Sequence, residues 1–357
     1  MTGRLTALRG DIARARLSGL LVTGMSSVRY LTGFTGSSGC LLIEPRAATL
    51  FTDFRYREQA GAELSDDVTL HVVSDGSWGA LSDHLGTSPP GRRIGFESGR
   101  MTVAEHDRLA AACDSAIWEP TEGLVEARRA VKDPAEVEAI AAAVDLADLV
   151  LEALLGEIRP ATTEAQLAAR LEYRLREAGS GPLPFVPIVA FGERSALPHA
   201  TPSDRPLAAG DLVLLDFGAR VDGYCSDMTR VFTMGAASAW QRDLHGAVRA
   251  AVDAAVAVTG AGTGCAAVDA AARGSLESAG LAEEFGHSTG HGLGLDVHEA
   301  PRLHRHETAE LEAGNVVTIE PGVYLPGQGG IRIEQVVVVE PDGGRVLTRS
   351  SPELIEL

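Results

Sequence analysis

Leu212-Val213-Leu214-Leu215-Asp216-Phe217-Gly218 places an acid near the end of an apolar run, and a second acid, Asp227, follows eleven residues later. Between them Asp222-Gly223 is a tight-turn pair, so the chain is expected to fold back as a hairpin with both carboxylates near one patch of sheet. An acid in an apolar strand is costly unless a cation or hydrogen bonds neutralise it. On the hairpin alone two readings stand level. Either both acids are ligands, or one is satisfied by backbone and the other lies at a solvated edge.

Working outward, Gly286-His287-Ser288-Thr289-Gly290-His291-Gly292-Leu293-Gly294 begins a cluster holding five of the ten histidines, between His287 and His306. Glycines beside His291 are expected to let the backbone pass close to an ion or substrate. The His287/His291 spacing also fits a zinc protease, but Ser288 stands where such enzymes carry glutamate. Val316-Val317-Thr318-Ile319-Glu320-Pro321-Gly322 ends a strand on an acid just before a proline. In Ile331-Arg332-Ile333-Glu334, strand alternation puts Arg332 and Glu334 on one face. Taken singly, each of these charges reads more naturally as an edge residue.

Together, Asp216, Asp227, His291, Glu320 and Glu334 offer four carboxylates and one imidazole. That oxygen-rich set suits hard or borderline divalent ions, manganese first, with cobalt or zinc as alternatives. Four carboxylates at −4 balance two divalent ions at +4, whereas without metal they would repel and partly protonate. Two ions per chain are therefore expected.

The rest of the chain sets the frame. At 357 residues two domains are expected, and a mean hydropathy of +0.05 is ordinary for a globular protein. A net charge of −18 argues against a nucleic-acid partner. No segment approaches the roughly 18 apolar residues that span a bilayer, so no membrane partner is expected. Cys40, Cys113, Cys225 and Cys265 are far apart and form no CxxC pair, which fits a cytoplasmic protein without disulfides.

The first third interleaves strands with helices, among them helices over 5–17, 55–64, 78–85 and 103–113, and reads as a small α/β domain with a mixed sheet. A boundary near Arg128-Arg129-Ala130-Val131 precedes Asp133-Pro134-Ala135-Glu136, a helix start with aspartate as cap and glutamate three residues on. The expected domains are residues 1–127 and 128–357. The second is α+β, with single strands over 224–232 and 331–339 among its elements.

With these motifs in order, the chain resembles the pita-bread metallopeptidases, a family that includes methionine aminopeptidase, aminopeptidase P, prolidase and the metal-free creatinase. Leu215-Asp216-Phe217-Gly218, Asp227-Met228-Thr229-Arg230, Gly290-His291-Gly292, Ile319-Glu320-Pro321-Gly322 and Ile331-Arg332-Ile333-Glu334 carry the resemblance. Val28-Arg29-Tyr30-Leu31-Thr32-Gly33-Phe34-Thr35-Gly36 and Phe51-Thr52-Asp53-Phe54-Arg55-Tyr56 extend it to the N-terminal domain of the aminopeptidase P and prolidase branch. The resemblance implies a C-terminal pita-bread catalytic domain behind a smaller creatinase-like α/β domain. It implies that Asp216 and Asp227 bind one ion, that Asp227 and Glu334 bridge to the second, and that His291 and Glu320 complete its shell.

It further implies that His199, His287, His298 and Tyr324 bind substrate and that Arg332 holds a ligand carboxylate. Glu320 would act in catalysis together with His199 and His298. The expected activity is hydrolysis, by a hydroxide bridging the metals, of the bond before proline at the second position of peptides, as in an Xaa-Pro aminopeptidase. An Xaa-Pro dipeptidase (prolidase) is the alternative. A non-catalytic peptide-binding scaffold and a creatinase-like hydrolase of small non-peptide amides are further ones. A homodimer or higher homo-oligomer is implied by the resemblance alone.

Overall fold

The computed structural model describes residues 2–74, 77–86 and 90–357. The chain forms two compact units, Met1–Arg129 and Ala130–Leu357.

In the first unit β1 (Gly19–Val22), β2 (Cys40–Ile43), β3 (Ala48–Asp53), β4 (Thr69–Val73), β5 (Arg92–Glu97) and β6 (Ala116–Thr121) form one sheet in the order β4-β3-β2-β1-β5-β6. The sheet is mixed: β1 pairs antiparallel with β2 and parallel with β5. Central strands β1 and β2 are buried along their whole length, as their unbroken apolar sequence requires. The first helix runs Thr2–Arg14 and buries Leu5, Leu8 and Ile12, but it stops short of Leu17 because Arg16 turns to φ 57°. A helix and a strand are among the elements that escape the sequence reading. Helix Met25–Thr32 carries two serines, a valine and a threonine, weak helix formers, among its eight residues, and closes on Gly33 at φ 81°. Strand β6 contains Pro120, which is tolerated because β6 is an edge strand.

The second unit contains β7 (Ile188–Phe191), β8 (Leu212–Phe217), β9 (Arg220–Val221), β10 (Tyr224–Cys225), β11 (Met228–Thr233), β12 (Gly290–Gly292), β13 (Glu299–Leu303), β14 (Val316–Ile319), β15 (Gly322–Leu325), β16 (Gly329–Arg332), β17 (Gln335–Glu340), β18 (Gly343–Val346) and β19 (Ile355–Glu356). They form sheets ordered β19-β11-β8-β7 and β13-β12-β14-β17-β18, with the pairs β9/β10 and β15/β16. Helix Pro134–Leu155 starts at the expected cap: Asp133 accepts from Glu136 N–H and Glu136 returns the bond. Both faces of β8 are buried, with Leu212 and Leu214 in one apolar cluster and Val213, Leu215 and Phe217 in another. Asp216, by its even position, shares the face of Leu212 and Leu214.

Each expected long strand is two. The run 224–232 breaks at Ser226-Asp227, where Ala219 and Ser226 exchange bonds across the bend. The run 331–339 breaks at Ile333-Glu334 because the chain changes partners there, leaving β15 for β14. All four cysteines are buried and free. No helix among the described residues is long and apolar enough to cross a membrane.

Candidate metal centre

The acids meet because three of them sit at interruptions in the sheet. Asp227 stands between β10 and β11, Glu320 between β14 and β15, and Glu334 between β16 and β17. A residue leaving a strand is released from the ladder's strict alternation, so its side chain can be re-aimed. Asp216 remains in β8 directly opposite Thr229 of β11, and Asp227 immediately precedes β11.

Ligand atoms of Asp227, His291 and Glu334 all lie within 4.8 Å of one another. His291 Nε2 is 3.3 Å from Glu320 Oε1 and 3.7 Å from Asp227 Oδ2. Its other nitrogen, Nδ1, is 3.0 Å from the carbonyl of Gly292. A carbonyl only accepts, so Nδ1 carries the hydrogen and Nε2 presents its lone pair to the acids. Burial lowers the His291 pKa to about 4, so the ring is neutral at neutral pH, as a ligand must be.

The carboxylates are strained electrostatically. Asp227 is pushed well above the usual range by burial and then by Glu334, Asp216 and Glu320. Glu334 is raised likewise, by burial and by Glu320 and Asp216. Burial lifts Glu320 to about 7. Asp216 is raised by burial against the opposing charge of Arg332. Glu334 Oε2 accepts from Thr229 Oγ1 at 2.9 Å, whereas Glu334 Oε1 is buried without a hydrogen-bond partner among the described residues. A buried acid oxygen without a partner, amid acids that repel each other, is the environment a divalent cation relieves. The donor set fits the expected ions.

Arg332 organises one side of the group. It donates through Nη2 to Asp216 Oδ2, through Nε to Thr229 Oγ1 at 3.0 Å and through Nη1 to Tyr324 Oη at 2.8 Å. Burial works against its charge, but Tyr324, Asp216 and Glu320 outweigh it and hold the guanidinium charged. Tyr324 Oη also lies 2.9 Å from His287 Nε2. Because His287 Nδ1 faces the Ser288 carbonyl at 2.8 Å, Nδ1 carries the hydrogen and Nε2 accepts from the tyrosine. Burial brings His287 to about pKa 4, so it is a neutral support for Tyr324 with both nitrogens engaged.

Asp216, Asp227, His291, Glu320, Glu334, His199, His287, His298, Tyr324 and Arg332 all line one cavity of about 500 Å³ in the second unit. Among the described residues the rings of His199 and His298 have no hydrogen-bond partner; His298 packs edge-on against His291 at 4.4 Å between centroids. The glycines flanking His291 have a different cause from the one expected. A Cβ on Gly290 would lie 1.9 Å from the Thr318 carbonyl oxygen, and one on Gly292 would lie 2.1 Å from that of Ala300. Close packing of β12 between its neighbours demands them.

Of the charged residues lining the cavity, sequence reasoning missed Arg302. Arg302 is exposed, lines the cavity and forms no ion pair among the described residues. It is paired directly opposite His291 in the β12–β13 ladder, which sets it on the face of His291. The signal in the sequence was its alternation with Pro301 and Leu303, both buried.

Residues 138–341 match the profile of metallopeptidase family M24, and residues 4–131 match the creatinase/prolidase N-terminal domain. The chain belongs to metallopeptidase family M24. Its architecture is the pita-bread fold of that family behind a creatinase-type N-terminal domain. The uncharacterized peptidase YqhT of Bacillus subtilis (strain 168) is 38% identical over 357 residues, 99% of this chain and 100% of its own. An Xaa-Pro dipeptidase from Bacillus anthracis is 37% identical and superposes with a TM-score of 0.96, covering 100% of this chain and 99% of its own. An X-Pro aminopeptidase from Thermotoga maritima MSB8 is 34% identical, with a TM-score of 0.89 over 96% of this chain and 98% of its own. This M24 chain is thus a metallopeptidase, and members of the family use divalent metals.

Proposed function

We propose that this M24 metallopeptidase hydrolyses the bond between an N-terminal residue and proline, with the Xaa-Pro dipeptide as its preferred substrate. The solved relatives carry Xaa-Pro dipeptidase and X-Pro aminopeptidase as their names, which supports proline at the second position. The observation that carries the length preference is Arg302. A guanidinium without a carboxylate partner, on the ligand face of the cavity, suits the free carboxylate of a C-terminal proline.

Asp216, Asp227, His291, Glu320 and Glu334 would hold two divalent ions, manganese by preference. When bound there, such ions lower the pKa of water toward neutrality and polarise the scissile carbonyl. Glu320 would accept a proton from the attacking water while also holding metal. His199 and His298, with ring nitrogens free, supply hydrogen bonds to the oxygen that gains charge in the transition state. The proline nitrogen carries no hydrogen and leaves as an amine, so it must be protonated; a nearby imidazole or Glu320 returns that proton. Arg332 and Tyr324 fix the wall beside Asp216.

His298→Ala is expected to leave metal content unchanged and lower kcat by about a hundredfold. Loss of metal in that variant would make His298 a ligand. For substrate length, turnover of Ala-Pro is compared with that of Ala-Pro-Ala. Arg302→Ala should reduce kcat/KM for the dipeptide by about tenfold and leave the tripeptide nearly unchanged, the value of one charged hydrogen bond. Equal rates on both substrates, with Arg302→Ala affecting them alike, would replace the dipeptidase reading with aminopeptidase action, the second reading that the Thermotoga maritima likeness favours.

A further inference from the structure

Glu164 opens the helix Glu164–Glu177 and is completely buried. The helix does not use it as a cap. Thr163 and Gln166 already form a reciprocal capping box. The carboxylate turns instead toward the segment that follows β7. Its Oε1 accepts from Phe191 N–H at 2.8 Å, and both oxygens accept from Arg194 Nε at 3.1 and 2.9 Å. Oε2 also accepts from Ser203 N–H at 2.9 Å and Ser203 Oγ at 2.6 Å. A buried carboxylate with this many donors is a fixed point, since releasing any of them strands a charge or a donor.

These attachments bracket a particular stretch of chain. Pro198, His199, Ala200, Thr201 and Pro202 are consecutive and all line the cavity. Arg194 lies before them and Ser203 directly after, so both ends of this wall are attached to one carboxylate, while Arg332 Nη1 holds the Pro198 carbonyl at 3.3 Å and Ala165 N–H holds that of Ser203 at 2.9 Å. Arg194 adds a bond from Nη2 to the Thr201 carbonyl at 2.7 Å, inside the same span. His199 is exposed and has neither a ring hydrogen bond nor an aromatic contact among the described residues.

We propose that Glu164 is the positioning residue for His199, holding the cavity wall at residues 198–202 in register with the metal ligands. The proposal rests on the reading that His199 touches the substrate. Misplacing a catalytic contact by about 1 Å can cost a hundredfold. Glu164→Gln keeps the volume but turns an amide N–H₂ toward donors that need an acceptor. Its kcat/KM on Ala-Pro should fall ten- to a hundredfold with metal content unchanged. Amide hydrogen exchange should accelerate over residues 192–203 while the sheets β8/β11 and β14/β17 stay protected. In a His199→Ala background the same substitution should cost less than about threefold, and Glu164→Asp, which keeps the charge, should recover part of the rate.

An equal factor in both backgrounds, or faster exchange throughout residues 130–357, would reduce Glu164 to a brace of the fold and overturn the proposal. His199→Ala with unaltered turnover would overturn it too, leaving the peptidase reading intact. If the unaltered chain cleaves no Xaa-Pro substrate, that reading fails instead, and the exchange pattern still decides whether Glu164 fixes the wall. Should Glu164→Gln fail to fold, Ser203→Ala removes one donor and leaves the charge paired. It should cost about threefold, and nothing in the His199→Ala background.

Discussion

Asp227→Ala should abolish hydrolysis, with kcat/KM down by on the order of a thousandfold or more, and should lower metal content per chain. Asp227 contributes one of the three ligand atoms that lie within 4.8 Å of each other, and it faces His291 Nε2 at 3.7 Å. Removing it lowers the acid charge facing the two divalent ions proposed there from four to three. Glu334→Ala should behave alike, because Glu334 belongs to the same triplet. Stability of the metal-free chain should move the other way. Asp227 is held above its ordinary pKa by burial and by three neighbouring acids, so deleting it relieves repulsion among those that remain. The metal-free variant should therefore melt at a higher temperature than the metal-free parent while having no activity. Normal turnover, or unchanged metal content by elemental analysis, would show that Asp227 is not a ligand.

That opposition between stability and function also marks what the sequence discloses. Acids closing apolar runs, as Asp216 and Glu320 do, conflict with local burial, and such conflicts can be read without a structure. Asp216 and Glu320, singled out on those grounds, lie around one cavity with Asp227, His291 and Glu334. The order of elements was legible for the same local reason, since the cap at Asp133 and the apolar period of β8 are contained in short windows. Partner exchange was not legible. Whether 331–339 is one strand or two depends on β14 and β15, and no local pattern records that Glu334 falls at the crossing. Glycine was misread for a related reason: Gly290 and Gly292 answer to carbonyls of Thr318 and Ala300, which are remote or across a turn. Arg302 and Glu164 escaped because an arginine in a strand and a glutamate at a helix start are unremarkable in sequence. Only the ladder opposite His291 and the donors around Glu164 distinguish them.

Removing metal should make the protein's stability depend on pH in a direction unusual for carboxylates. Asp216, Asp227, Glu320 and Glu334 all have raised pKa values in the folded chain, so there they keep protons that the unfolded chain has released. Stability falls with rising pH wherever the folded state binds more protons. For these acids the fall begins near the ordinary carboxylate range, about pH 4, and continues at least to about 7, where Glu320 titrates. His287 and His291 have the opposite sign: burial lowers both to about 4, so between there and their ordinary value near 6.5 the unfolded state binds more protons and stability rises with pH. The two effects oppose each other below about pH 6.5, and above it only the acids remain. The metal-free protein should therefore lose stability from pH 6.5 to 8, read as a falling melting temperature, for as long as any of these acids stays protonated. Bound manganese displaces those protons, so the loaded protein should show little of this slope and the gap between the two forms should widen with pH. Calorimetric titration should show proton release on manganese binding and tighter binding at pH 8 than at pH 6.5. Parallel melting curves for the two forms across that range, with no protons released, would mean that the four acids are not where the metal binds.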